Sequence, residues 1–145
     1  MVRTALAVLS IVVGLTAVAA QSDPIAARRQ HMKDLGAQTK TGIEMAKGEI
    51  PYDHAKAQAI LATYVEVGPK IPDLFPDTSK TGGDTAALPG IWDNKADFKA
   101  KADKLAADAK AAQLTVKDAD TFKAVFNDLT KDCGACHQTY RAKKS

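Results

Sequence analysis

Two cysteines and a histidine near the C-terminus constrain this chain more than any other feature. They form the segment Cys133-Gly134-Ala135-Cys136-His137, in which the thiols are three positions apart and the imidazole follows directly. This spacing is typical of a site where two thioether bonds attach a porphyrin and the histidine becomes an axial ligand of its iron. The motif therefore predicts a fold that encloses a covalently bound haem.

A redox-active thiol pair and a zinc site fit the motif less well than haem attachment. A thioredoxin-like Cys-x-x-Cys pair follows a strand and opens a helix, whereas this pair lies in the last helical segment and no strand-like alternation precedes it. A structural zinc site needs four ligands, and His31 and His54 lack a suitable spacing from the two cysteines of the chain. A simple disulfide in a haem-free helical module is the remaining competing interpretation.

The N-terminal segment has the features of a secretory signal peptide. Arg3 supplies a positive charge, residues 5–18 are mostly apolar, and small residues follow. The apolar stretch is short for a transmembrane helix and lacks a charged stop-transfer flank. We predict a signal peptide over residues 1–20, one domain over residues 21–145, a periplasmic location and no stable membrane insertion after cleavage.

The charge of the mature chain does not indicate a polyanionic partner. The sequence has 20 basic and 17 acidic residues, so loss of Arg3 with the signal would leave 19 against 17. The two signs are mixed along the chain, which is typical of a solvated helical surface. We therefore expect binding neither to nucleic acid nor to a membrane surface.

Apolar residues recur at spacings of three and four in four segments that proline and glycine separate. The sequence predicts helices over residues 24–47, 54–68, 90–112 and 118–143, all approximate at their ends. A long connection over residues 73–89 suggests a crossover or a cover for a site. Because alanine and lysine are abundant and β-branched runs are few, we predict an all-α fold, an antiparallel left-handed four-helix bundle with covalently attached haem.

The last predicted helix places the motif on its apolar face. Its stripe consists of Phe122, Val125, Phe126, Leu129, Cys133, Cys136 and Tyr140. At about 100° per residue, both thiols and the imidazole of His137 project over one sector of the helix. One helix can therefore hold the porphyrin edge and one axial position, and another helix must cover the opposite face of the haem.

These features together resemble the class II cytochromes c, the family of cytochrome c′ and its low-spin, methionine-ligated relatives. The resemblance extends over essentially the whole mature chain, and the C-terminal place of the motif separates it from the class I cytochromes. The supporting motifs are Tyr140-Arg141 after the haem motif, Gly48 followed by Pro51-Tyr52-Asp53, and Gly83-Asp84 with Leu88-Pro89-x-Ile91-Trp92 before the third helix.

The resemblance implies one covalent haem c bound through Cys133 and Cys136, with His137 as the proximal iron ligand. It also implies a sixth-position residue on the first helix, one turn after an arginine that approaches a haem propionate. Arg28 and Met32 match this pair, and the apolar stripe of the first helix independently places both on one face. Met32 is therefore the predicted distal ligand.

Further haem contacts are implied at four positions. Arg29 follows the predicted propionate arginine, and Asp84 and Thr85 in the long connection are implied at the haem edge. Arg141 is implied as a charge near a propionate or the proximal face.

The residues themselves leave alternatives open. Met32 can be a packing residue, and His31 can ligate instead, although it points about 100° away from Met32. Arg28 and Arg141 can be surface charges, the latter favoured by the dipole at a helix C-terminus. The aromatic residues Phe75, Tyr64 and Trp92 are expected in the core or the haem wall.

The role of Met32 separates two functions. If its sulfur binds the iron, the haem is six-coordinate and low-spin, and neither axial bond must break on reduction, which suits a one-electron carrier. If Met32 only packs above the iron, the haem is five-coordinate behind an apolar lid, and small gases such as nitric oxide can bind. We favour the electron carrier, because a leucine or phenylalanine at this position could not ligate at all.

The sequence shows no arrangement of nucleophile, base and orienting group, so we do not expect an enzyme. The expected partners are other periplasmic redox proteins, and the alternative function adds small gaseous ligands. Because relatives often dimerise through their first two helices, the resemblance also implies a homodimer.

Overall fold

Long helices account for most of the computed structural model, which describes residues 23–143. The α-helices are α1 (Pro24–Lys47), α2 (His54–Val67), the short α3 (Gly90–Asp93), α4 (Lys95–Thr115) and α5 (Ala119–Tyr140). Among the described residues there is no strand, only an isolated antiparallel bridge between Ala87 and Arg141. The predicted all-α fold is confirmed, and the predicted signal peptide lies outside the described residues.

Local sequence signals set the ends of the long helices. The carboxylates of Asp23, Asp53 and Asp118 each accept a hydrogen bond from a backbone N–H in the first turn of the helix that follows, at 2.9, 2.9 and 2.8 Å. Helix α1 ends at Lys47, because the next residue, Gly48, has a left-handed φ of 76°, which favours glycine. The predicted bounds of α1 are confirmed for this reason.

The predicted third helix begins at Gly90 as expected, but its prediction as one continuous helix is wrong. The backbone leaves the helical region at Asn94, with φ −135° and ψ 60°, so that α3 and α4 are separate helices. The side chain of Asn94 accepts a hydrogen bond from the Asp97 N–H at 3.3 Å and thereby caps α4. An asparagine at this position thus starts a new helix instead of continuing the old one.

The last helix ends at Tyr140, three positions before the predicted end at residue 143. The chain beyond it turns to an extended conformation because it pairs with the segment before α3. The Ala142 N–H donates to the Ala86 carbonyl at 2.8 Å, and the Leu88 N–H donates to the Tyr140 carbonyl at 3.0 Å.

The four long helices form a closed ring of neighbours in which α1 and α4 each pack against both α2 and α5. Gln58 in the first turns of α2 donates to the carbonyl of Gln113 near the end of α4, at 3.1 Å. Gly68, just beyond the other end of α2, lies against Ala102 and Ala106 near the middle of α4. Helices α2 and α4 are therefore antiparallel, as the bundle prediction requires.

Residues 73–89, which we call the connecting loop, lead from the α2 side of the bundle to α3. A 3₁₀ turn over Pro72–Leu74 leads into the loop, and Pro76 precedes a further 3₁₀ turn within it at Asp77–Ser79. The end of the loop lies against the end of α5 through the hydrogen bonds described above. None of the helices in the described part of the chain is both long and apolar enough to cross a membrane.

Candidate functional site

The haem-attachment motif lies in the last two turns of α5. Cys133 and Cys136 are half-buried, pack against the hydrophobic core and are not joined in a disulfide. The structure thus bears out their place on the inner face of the helix.

Burial raises the pKa of both thiols. For Cys133 the carboxylate of Asp132 adds to the effect of burial, whereas for Cys136 the ammonium of Lys101 opposes it. A thioredoxin-like nucleophile needs a lowered thiol pKa. The two cysteines therefore have the surroundings of buried attachment points rather than of a redox-active pair.

His137 is half-buried, and burial lowers the pKa of its imidazole, with a smaller contribution from the guanidinium of Arg141. The neutral imidazole is the form that binds iron. An open surface pocket of about 460 Å³ lies beside it, lined by Gly134, His137, Gln138, Arg141, Ala142 and Lys143. Arg141 is thus close to the imidazole, where the resemblance implied a proximal charge.

Met32 lies on α1, a direct neighbour of α5 in the bundle. It is half-buried and packs against the same hydrophobic core as Cys133 and Cys136. His31, the alternative ligand, is also half-buried at the adjacent position. The predicted sixth-position residue on α1 and the attachment cysteines on α5 therefore pack against one core from neighbouring helices.

Arg28 is buried, with only 4% of its surface exposed. Its Nη1 donates to the Ser79 hydroxyl at 2.8 Å and to the Leu74 carbonyl at 3.3 Å. Its Nη2 donates to the Ser79 carbonyl at 3.1 Å and to the Thr85 hydroxyl at 2.7 Å. The interpretation of Arg28 as a surface charge is therefore wrong, because a guanidinium this deep is placed by its partners.

The same guanidinium lies over two aromatic rings. The Cζ atom of Arg28 lies 4.6 Å from the ring centre of Phe75 and 5.8 Å from that of Trp92. Burial lowers the pKa of Arg28, and Asp23 partly opposes this. Both terminal nitrogens of Arg28 donate to the connecting loop. The contact with a haem propionate that the resemblance implied stays a prediction, and a propionate would have to share these nitrogens with the loop.

The other predicted haem-edge residues, Arg29 on α1 and Asp84 and Thr85 in the connecting loop, lie next to Arg28. Arg29 pairs with Asp84 at 2.6 Å between Nη2 and Oδ2, with 47% and 82% of their side chains exposed. Thr85 follows Asp84 and binds Arg28. Residues 28, 29, 84 and 85 thus come together, while Ser79 was missed because a serine in a polar loop carries no distinguishing sequence signal.

The aromatic residues form the wall beside this network. Trp92 is buried, and its indole N–H donates to the Phe75 and Pro76 carbonyls at 3.0 and 3.2 Å. The Phe98 ring is 4.9 Å from that of Phe75 and 5.2 Å from that of Tyr140, in edge-to-face contact. The prediction that Phe75 and Trp92 pack in the core or haem wall agrees with these contacts.

The residues present fit a covalently bound haem. Two half-buried protonated thiols on the inner face of α5 can form the thioether bonds, and the neutral imidazole beside them can bind iron. A thioether on the neighbouring helix and an aromatic wall complete apolar surroundings. This donor set is the one that c-type haems use.

Comparison with known proteins agrees with this chemistry. The family model described as cytochrome C′ matches residues 23–141. The chain is 47% identical to a cytochrome c′ of Rhodopseudomonas palustris (strain ATCC BAA-98 / CGA009) over 135 residues, 93% of this chain and 92% of that protein. It is 42% identical to a cytochrome c-556 of Agrobacterium tumefaciens (strain II Chrys) over 118 residues, 81% of this chain and 95% of that protein.

The fold is similar to the solved structure of a cytochrome c′ from Rhodopseudomonas palustris. The TM-score is 0.83 at 48% sequence identity, over 86% of this chain and 100% of the solved chain. Motif, helical architecture and relatives therefore agree. The chain belongs to the cytochrome c′ family, the class II cytochromes c, whose members carry covalently bound haem c.

Proposed function

We propose that the protein is a periplasmic one-electron carrier with a single haem c on Cys133 and Cys136, His137 as proximal ligand and Met32 as distal ligand. The observation that carries the proposal is the contact of Met32, on α1, with the core that also receives both cysteines of α5. When bound, haem supplies a one-electron iron couple, and an axial thioether raises its potential by favouring the ferrous state.

The surrounding side chains support this role by keeping both ligands in place. Burial keeps the imidazole of His137 neutral, so that its lone pair is available for iron. Leu35, one turn after Met32, is buried and packs in the same core, which restricts movement of α1 at this level. A carrier with two retained ligands needs little rearrangement between its two redox states.

A second candidate is the binding of small gases such as nitric oxide at a five-coordinate iron. The half-buried contact of Met32 with apolar neighbours favours it, because a thioether can pack in a core without coordinating. In this function the side chain of Met32 excludes larger and polar ligands from the distal face, and a small neutral gas displaces it.

The spin state of the oxidised holoprotein tests the choice. We expect electron paramagnetic resonance to show a low-spin wild type, and Met32→Leu to become high-spin with a lower reduction potential, because leucine offers no lone pair. Met45→Leu is a matched control in α1, since Met45 is buried in the core. A high-spin wild type that Met32→Leu leaves unchanged contradicts the electron carrier and supports gas binding.

We further propose that the role is not enzymatic and that other periplasmic redox proteins are the partners. A homodimer through α1 and α2 is part of this proposal. Sedimentation velocity on the holoprotein at micromolar concentration tests the assembly, and a single monomeric species would contradict it.

A further inference from the structure

Several hydrogen bonds, linked by short stretches of backbone, join α1 to the end of α5 through the connecting loop. It begins at Arg28, whose guanidinium binds the side chains of Ser79 and Thr85. The Thr85 hydroxyl also accepts a hydrogen bond from the Ala87 N–H at 3.2 Å. The loop segment nearest to α5 is therefore tied directly to a side chain of α1.

The same loop segment is tied to α5 on its other side. Ala87 forms the isolated bridge with Arg141, and the Leu88 N–H donates to the Tyr140 carbonyl at 3.0 Å. The Arg141 N–H in turn donates to the carbonyl of His137 at 3.1 Å. The set of bonds thus starts one helical turn before Met32 and ends at the backbone of the predicted proximal ligand.

The buried part of this set is well satisfied. Ser79 is 2% exposed, and its hydroxyl accepts from Arg28 while it donates to the Pro76 carbonyl at 2.9 Å. The rings of Phe75 and Trp92 flank the guanidinium. A buried polar network with its partners in place is rigid, because each broken bond would leave an unsatisfied group away from water.

We propose that Arg28, Ser79 and Thr85 form a positioning clasp that sets the spacing of α1 and α5 and thereby the strength of the bond between Met32 and iron. The clasp rests on the proposed function, in which Met32 ligates. Arg28 and Met32 are four positions apart in one continuous helix, so a displacement of Arg28 moves Met32 with it. A loosened clasp lets α1 withdraw, which weakens the thioether bond and favours the ferric, high-spin state.

The test uses the holoprotein with single changes in the loop. Thr85→Val keeps the shape of the side chain but removes the hydroxyl that accepts from Arg28, and Ser79→Ala removes the second hydroxyl. Thr85→Ser restores the acceptor, and Thr81→Val is the control at an exposed position of the same loop. The readouts are the high-spin fraction of the oxidised protein and the reduction potential.

A lost hydrogen bond to a charged group corresponds to a shift of about tenfold or more in an equilibrium constant. We therefore expect Thr85→Val and Ser79→Ala to raise the ratio of high-spin to low-spin haem by about tenfold and to lower the potential. Thr85→Ser and Thr81→Val should match the wild type in both readouts.

The outcomes separate the clasp from the function on which it rests. A low-spin wild type whose spin ratio and potential are unmoved in Thr85→Val and Ser79→Ala overturns the clasp and leaves the electron carrier standing, even if both variants unfold more easily. A high-spin wild type overturns the electron carrier, and the clasp with it.

Discussion

Two buried tyrosine hydroxyls in this bundle find their partners on neighbouring helices. The Tyr64 hydroxyl on α2 is 2.7 Å from the Thr39 hydroxyl on α1, and Tyr140 on α5 donates to Asp97 on α4 at 2.5 Å. A buried polar group without a partner costs about 1–3 kcal/mol. These pairs therefore specify how the helices align, in addition to the apolar packing.

Tyr64 gives the stability of the bundle a dependence on alkaline pH. Burial raises the pKa of Tyr64 to about 12, whereas an exposed tyrosine titrates near pH 10. The folded state thus holds the phenol proton more tightly than the unfolded state, so the contribution of Tyr64 is complete below about pH 10 and is lost as the pH rises towards 12.

We expect the stability advantage of the wild type over Tyr64→Phe to shrink between about pH 10 and pH 12. Urea unfolding of both proteins at fixed pH values measures it, and taking the difference cancels the titration of the lysines, which both proteins share. A difference that stays constant over this range would show that burial does not perturb Tyr64.

At the scale of elements, the contact of α1 with α5 depends on a glycine. Gly42 is buried, and a Cβ atom built on it would lie 2.1 Å from Cζ of Phe126. Phe126 is 1% exposed and stacks on Phe122 at a centroid distance of 5.0 Å, so a shift of its ring would disturb this packing. The close approach of the two helices therefore requires the absence of a side chain at position 42.

Gly42→Ala should lower the free energy of unfolding by about 1–3 kcal/mol, the usual cost of overpacking a core. Gly36→Ala is the matched control, since Gly36 lies in the same helix with no atom within 4 Å of an added Cβ. Alanine at position 36 should raise the free energy of unfolding by up to about 1 kcal/mol through helix propensity. Urea denaturation distinguishes the two, and equal effects would contradict the packing argument.

At the scale of the whole molecule, the haem site is part of the core and not an addition to it. Cys133, Cys136 and Met32 pack against the same cluster of buried side chains that joins α1, α2, α4 and α5. A covalently attached group stays on the unfolded chain, so it stabilises the folded state through the apolar surface that it buries only there. The haem should therefore contribute to the stability of all four helices together.

The double variant Cys133→Ala/Cys136→Ala should be exported without added haem mass and should unfold at a lower temperature than the wild type. Ala135→Ser is the control, because this exposed position lies between the cysteines and leaves both thiols in place. Mass spectrometry of the intact protein measures attachment, and circular dichroism measures the melting temperature. Covalent haem on the double variant would contradict the assignment of the two cysteines.

Much of the fold can be predicted from the sequence because its signals are local. The apolar spacing of the helices and the prolines and glycines that separate them act within one or two helical turns. They predicted the all-α bundle and the inner face that carries Cys133 and Cys136. The break at Asn94 was missed because the apolar spacing continues through it, and a single capping side chain outweighs that pattern.

The burial of Arg28 is a feature that local sequence patterns do not predict. Helical spacing placed it on the face of Met32, but its burial depends on Ser79 and Thr85, which are 51 and 57 positions away. Which residues of a polar loop meet a given helix depends on the path of the loop and on the rings of Phe75 and Trp92 beneath it. The haem-attachment motif, residues 133–137, thus determines the chemistry of the site within a short stretch of chain. The alignment of α1 with α5 across the site arises from contacts that form only when the whole bundle is folded.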